Sequence, residues 1–151
     1  MSADAERLRA IVAQARPRLV AIAADDAARK PAAPDGWSKQ EILGHLIDSA
    51  VNNHARFVRA QLQAEVRLPD YDSPEWVRVQ DYAAAEWPAL VELWAAFNRH
   101  LAHVLDRIPS HRMSVPCRIG DAAPVTLQAL IVSYGDHLLH HLRDIDPEIR
   151  G

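Results

Sequence analysis

Gly36-Trp37-Ser38-Lys39-Gln40-Glu41-Ile42-Leu43-Gly44-His45-Leu46-Ile47-Asp48 reads as a helix start with one histidine placed two turns inside it. Ser38 is positioned to accept from free backbone N–H groups of the first turn. Glu41, three residues on, is positioned to reach back, and the two together make a capping box. Trp37, just before the cap, is spaced to staple onto Ile42. A helix whose first turn is fixed in this way also fixes His45 in space. Far along the chain, His137-Leu138-Leu139-His140-His141 places His137 and His141 four apart, on one face of a helix. The expectation is a fold that brings these two places together around a metal ion. Each signal alone has a plainer reading: a histidine pair at this spacing also occurs half-exposed with no ligand, and a single boundary histidine is commonly just hydrogen-bonded.

Outward from this stretch the chain reads as helices. Leu8, Ile11, Val12, Ala15, Leu19 and Ile22 recur at three- and four-residue steps, an amphipathic helix that Pro17 is expected to kink or restart. Lys30 to Gly36 is loop by composition. The second helix is expected from Ser38 to about Gln63, with Leu46, Ala50, Phe57 and Val58 on its buried side. After a break at Leu68 to Asp72, Ser73-Pro74-Glu75-Trp76 suggests a cap, a proline in the first turn and a short helix. The third long helix ends near Ile108, and its apolar series runs Trp87, Leu90, Val91, Trp94, Phe97, Leu101, Val104, Leu105, Ile108. At about 100° per residue all of these share one side, while His100 and His103 point the other way. Met113 to Thr126 is the only segment with strand character, and a short β-hairpin is expected there before the last helix. Thr126 then caps a helix running to Ile145, stopped by Asp146-Pro147, with Leu127, Ile131, Tyr134, Leu138, Leu142 and Ile145 buried. The expected fold class is all-α: one domain spanning residues 1–151, a four-helix bundle of up-and-down or crossover type.

Composition narrows the function classes. Apolar residues make up 49% of 151 and glycine only 5 positions, which favours helices over sheet. A net charge of −3 argues against a nucleic-acid surface, and no apolar run is long enough to span a bilayer. Neither a nucleic-acid nor a membrane partner is therefore expected. The single cysteine, Cys117, has no partner for an internal disulfide, and the N-terminus lacks a signal-peptide core, so the cytoplasm is the expected compartment.

Carboxylates stand near the candidate ligands. Asp48 follows His45 at the third position and Asp144 follows His141 at the third, each placed to take an imidazole N–H and orient the ring, or to stand as a solvated surface group. Asp48 is also a candidate direct ligand. Asn52 and Arg56 continue the His45 face and are candidates for substrate binding; the forked donors of Arg56 suit an anionic group, or a surface acid. His54 lies half a turn away from that face and is excluded. His140 leans outward, His111 lies in a loop, and Cys117 sits in an alternating hydrophobic strand where a structural role is expected.

The stretch Trp37-Ser38-x-x-Glu41-Ile42-Leu43-Gly44-His45-Leu46-Ile47-Asp48-Ser49, followed by Asn53, Arg56 and Phe57, resembles the DinB-like (DinB/YfiT) superfamily. Tyr134-x-x-His137-x-x-His140-His141 and the Trp94 helix resemble it as well, so the similarity runs from about Leu8 to Ile145. The resemblance implies a helical bundle in which His45, His137 and His141 hold a divalent metal, the same trio the spacing singles out. It implies activity as a thiol-dependent transferase or isomerase using a low-molecular-weight thiol, or as a metal-dependent hydrolase, and it implies homodimers. Three imidazoles leave room on the ion for water or a small-molecule substrate. Zinc, nickel, iron and manganese all accept such nitrogens. The expected function is activation of a thiol or water against a small electrophile; the alternative is a non-catalytic metal- or ligand-binding stress-related scaffold.

Overall fold

The computed structural model describes residues 1–151. Six α-helices occur in the order α1 (Ala3–Val20), α2 (Ala24–Ala28), α3 (Lys39–Leu62), α4 (Ser73–Gln80), α5 (Trp87–Arg107) and α6 (Leu127–Ile145). Three short strands intervene: β1 (Val66–Leu68), β2 (Pro116–Ile119) and β3 (Val125–Thr126). The four long helices form the bundle. α1 packs on α5 and α6, and α3 packs on the same two from the other side. Helices α1 and α3 are thus diagonal to each other, as are α5 and α6, so both α1–α3 and α5–α6 connections cross an end of the bundle. One cluster of 35 buried residues runs from Ala5 to Ile149, so a single core serves the whole chain.

Local chemistry accounts for the helix ends. The α3 capping box forms as read: Ser38 Oγ accepts from Glu41 N–H at 3.2 Å, and Ser38 N–H donates to the Glu41 carboxylate at 2.8 Å. Thr126 caps α6 by accepting from Ala129 N–H. Two expectations shift by a residue or a turn. Asp72, not Ser73, caps α4, because its side chain is the one that reaches Glu75 N–H. Pro17 does not break α1, which continues to Val20 before the chain restarts as α2; a proline four residues from a helix end leaves little helix behind it to disrupt.

The expected hairpin is present, with β2 antiparallel to β3, Pro116 facing Thr126 and Cys117 facing Val125. Strand character is not confined to it, however. β1 adds in parallel on the other side of β2, pairing Val66 with Cys117 and Leu68 with Ile119. Three residues are too short to display a period, and this strand is specified by its partner and by burial of Val66 and Cys117 in the core. Gly120 turns out of β2 at φ +58°, a conformation that favours glycine, and its N–H donates to Leu68 O at 2.8 Å. The sheet therefore ties the end of α3 to the start of α6, the two helices that carry the histidines. Arg112 reinforces this end by donating to Ala60 O and Gln63 O, carbonyls left free where α3 stops. No helix is long and apolar enough to cross a membrane.

Candidate metal centre

Helix α3 delivers His45 from the end of its second turn, and α6 delivers His137 and His141 from successive turns. The candidate ligand atoms of the three lie within 4.8 Å of one another. His45 Nε2 stands 3.1 Å from His137 Nε2. Ring centroids are 5.0 Å apart for His45–His137, 4.8 Å for His45–His141 and 4.6 Å for His137–His141, all close to edge-on. The fold thus brings together the three imidazoles singled out by spacing and by resemblance.

Electrostatics set their protonation. Burial, with repulsion from His137 and His141, pushes His45 down to about 4. Burial and the neighbouring His141 and His140 push His137 down to about 4. His141 is lowered too, by burial, although the carboxylate of Asp144 pulls the other way. All three are therefore neutral at neutral pH, the form that offers a lone pair to a metal.

Around the ligands the structure separates the expected supporting residues. Asp144 is where the spacing puts it, its carboxylate 3.3 Å from His141 Nδ1, which leaves Nε2 of that ring for the site. Asp48 differs. It is 2% exposed, and its Oδ1 accepts from the Tyr82 hydroxyl at 2.7 Å and from Gln80 Nε2 at 2.8 Å rather than from His45. Burial raises its pKa against the pull of those two donors. Asp48 Oδ2 and His45 Nδ1 are both buried without a protein partner. The cause of the difference lies in the single helical turn at residues 82–84. Gln40 donates to Tyr82 O at 2.7 Å, and the Tyr82 ring lies flat against Gly44, where an added Cβ would fall 2.2 Å from it. Gly44 is thus the place where α3 admits the ring that claims Asp48. Trp37, just before the cap, also reaches the centre: its ring stands 5.0 Å from that of His45.

A cavity of about 350 Å³ opens from His45 and His137. Arg56 lines it, along with Ser49, Asn53, Asp70, Tyr71, Ser133 and Tyr134. The Arg56 guanidinium is half-buried, makes no ion pair, and is lowered by burial against the pull of Tyr71 and Asp70. Asn52 does not line the cavity; its amide turns back to Asp48 O at 2.9 Å. On a helix His45, Ser49 and Asn53 climb in steps of four, and Ser133 lies four before His137, so the same ladder that pairs His137 with His141 marks these lining residues. The cavity sits on that side of α3, while Tyr82 and Gln80 cover the Asp48 side. Tyr134 donates to Asn98 Oδ1 at 2.6 Å and Asn98 donates to Trp94 O, which holds the cavity floor in the core. His140 is exposed, 4.0 Å from Asp144, and burial raises the Cys117 thiol, as suits a structural cysteine.

The trio passes a test of fit for a divalent ion. Two nitrogens at 2.0–2.1 Å from a common ion stand about 2.9–3.4 Å apart in octahedral or tetrahedral arrangements, and the His45–His137 separation of 3.1 Å falls within that span. Three neutral nitrogens suit zinc, nickel, iron or manganese rather than calcium or magnesium.

A sequence model described as the DinB superfamily matches residues 6–145. Among solved structures, the fold is similar to that of YfiT from Bacillus subtilis, described as a probable metal-dependent hydrolase with an unusual four-helix bundle topology. The TM-score is 0.83 at 21% identity, covering 97% of this chain and 87% of that one. It is similar also to a mycothiol-dependent maleylpyruvate isomerase, with a TM-score of 0.77 at 14% identity, covering 97% of this chain and 63% of that longer one. No curated protein sequence matches the chain.

Proposed function

This chain belongs to the DinB superfamily, and we propose that it is a metal-dependent enzyme that activates a small thiol, or water, to attack a small electrophile carrying an anionic group. One observation carries the reading: three neutral imidazoles converge, and two of them, His45 and His137, line a cavity whose wall presents Arg56, in no ion pair although Asp70 shares that wall. His45, His137 and His141 would hold a divalent ion, which when bound would supply Lewis acidity to lower the pKa of a thiol or water toward neutrality. Asp144 fixes the tautomer and tilt of His141. Arg56 holds the anionic end of the substrate with forked donors and so orients its electrophilic carbon toward the histidines. Ser49, Asn53 and Ser133 offer hydrogen bonds along the way. Trp37 covers the opposite side of His45 and keeps solvent from it. The similarity to a probable hydrolase and to a thiol-dependent isomerase supports both choices of nucleophile.

The reading is tested on cobalt-substituted protein. Titration with small thiols should shift the visible spectrum, and the loaded enzyme should join a thiol to, or hydrolyse, anionic electrophiles in a screen. Arg56→Met should raise KM for anionic substrates far more than for neutral ones. A spectrum indifferent to every thiol, with no turnover in the screen, would leave the helical scaffold as the better description.

A further inference from the structure

We propose that His54 and His100 form a second transition-metal site, on the surface between α3 and α5 and separate from the three-histidine centre. His54 lies half a turn round α3 from His45, so it cannot reach that ion; its ring instead meets α5. The His54 and His100 ring centroids are 5.3 Å apart at 45°, close to the 4.6–5.0 Å spacings within the central trio. Phe97, one turn before His100, packs against both rings, at 5.6 Å from His54 and 6.4 Å from His100, and so limits the rotamers open to them. His54 is half-buried, and burial together with the adjacent His100 lowers its pKa, so it is in the ligating form at neutral pH. His103 stands farther off, 6.3 Å from His100 and stacked along α5. Two imidazoles with water completing the shell suit copper(II), nickel or zinc, not the oxygen-seeking calcium or magnesium. An ion there joins two helices far apart in sequence and binds only the folded chain, so it acts as a clamp on the bundle.

Copper(II) alone is the probe, used on His45→Ala/His137→Ala/His141→Ala protein, which removes every imidazole of the central trio. Titration followed by electron paramagnetic resonance and calorimetry should show a single equivalent with nitrogen coordination. Adding His54→Ala or His100→Ala should weaken binding about tenfold or more, since each removes one of two imidazoles. Copper should raise the thermal midpoint of the triple variant and raise it distinctly less once His54 or His100 is also replaced; a hundredfold excess over the dissociation constant shifts the folding equilibrium about a hundredfold, and a tenfold weaker site about tenfold. Should the triple variant fold poorly, the same comparison is made between zinc-loaded wild type and zinc-loaded His54→Ala. Equal copper affinity with and without His54 and His100, or no uptake at all, would overturn the proposal.

Discussion

Acidifying the metal-free protein should unfold it through the same histidines that prepare it for metal. His45 and His137 each fall from 6.5 to about 4 in the folded chain, chiefly through burial. An unfolded chain protonates both near pH 6.5; the folded chain does not until about pH 4. Between those limits the unfolded state binds more protons, so stability is full above about pH 6.5 and is lost progressively as pH falls toward 4. At about 1.4 kcal/mol per pKa unit, each histidine contributes roughly 3 kcal/mol of loss, and the two together on the order of 6. That is a large share of the roughly 5–15 kcal/mol that typical domains possess. With urea slopes of about 1–3 kcal/mol per molar, the midpoint of chelator-treated protein should drop by about 2 M between pH 7 and pH 4.5. His45→Gln/His137→Gln protein, which keeps the volume without the titration, should show a much flatter profile. Parallel profiles for the two proteins would refute the reasoning, because carboxylates elsewhere would then be responsible.

Three further outcomes follow from the packing. Gly44→Ala forces the Tyr82 ring off α3, since the new Cβ would fall 2.2 Å from it; urea denaturation should show a loss of about 1–3 kcal/mol, and unchanged stability would mean the ring is not seated there. Tyr134→Phe leaves Asn98 Oδ1 unpaired at a fully buried position. It should lose about 1–3 kcal/mol, with stability recovered in Tyr134→Phe/Asn98→Leu, and a neutral single variant would contradict the pairing. Asp144→Asn should weaken metal affinity about 10–100-fold in chelator competition without lowering apo stability; wild-type affinity would deny Asp144 its orienting role.

Features set by the chain's own period were open to sequence reading. The Ser38–Glu41 box, the Thr126 cap and the buried faces of α5 and α6 depend on neighbours three or four residues away, and each appears where the spacing puts it. His45, His137 and His141 meet because two such faces turn toward one another. What spacing could not supply was the lateral partner. Asp48 stands one turn from His45, yet its carboxylate goes to Tyr82, which arrives from a single helical turn after α4 with no periodicity of its own. The choice between Asn52 and its neighbour Asn53 depends on which side of α3 the cavity opens, and that is fixed by α6 and the sheet. β1 carries no signal of its own for a similar reason, being a strand only by virtue of β2. Arg56 is ambiguous in the sequence between a substrate anchor and a surface ion pair; the fold puts it in the cavity wall, with Asp70 in the same wall but not ion-paired to it.

The convergence of three helix-borne imidazoles on one divalent ion is tested most directly by zinc content after dialysis against a chelator of micromolar affinity. Wild-type and His54→Ala protein should each retain a single equivalent, while His45→Ala, His137→Ala and His141→Ala, folded by circular dichroism, should retain none. A full equivalent held by any of those three variants would contradict the shared site.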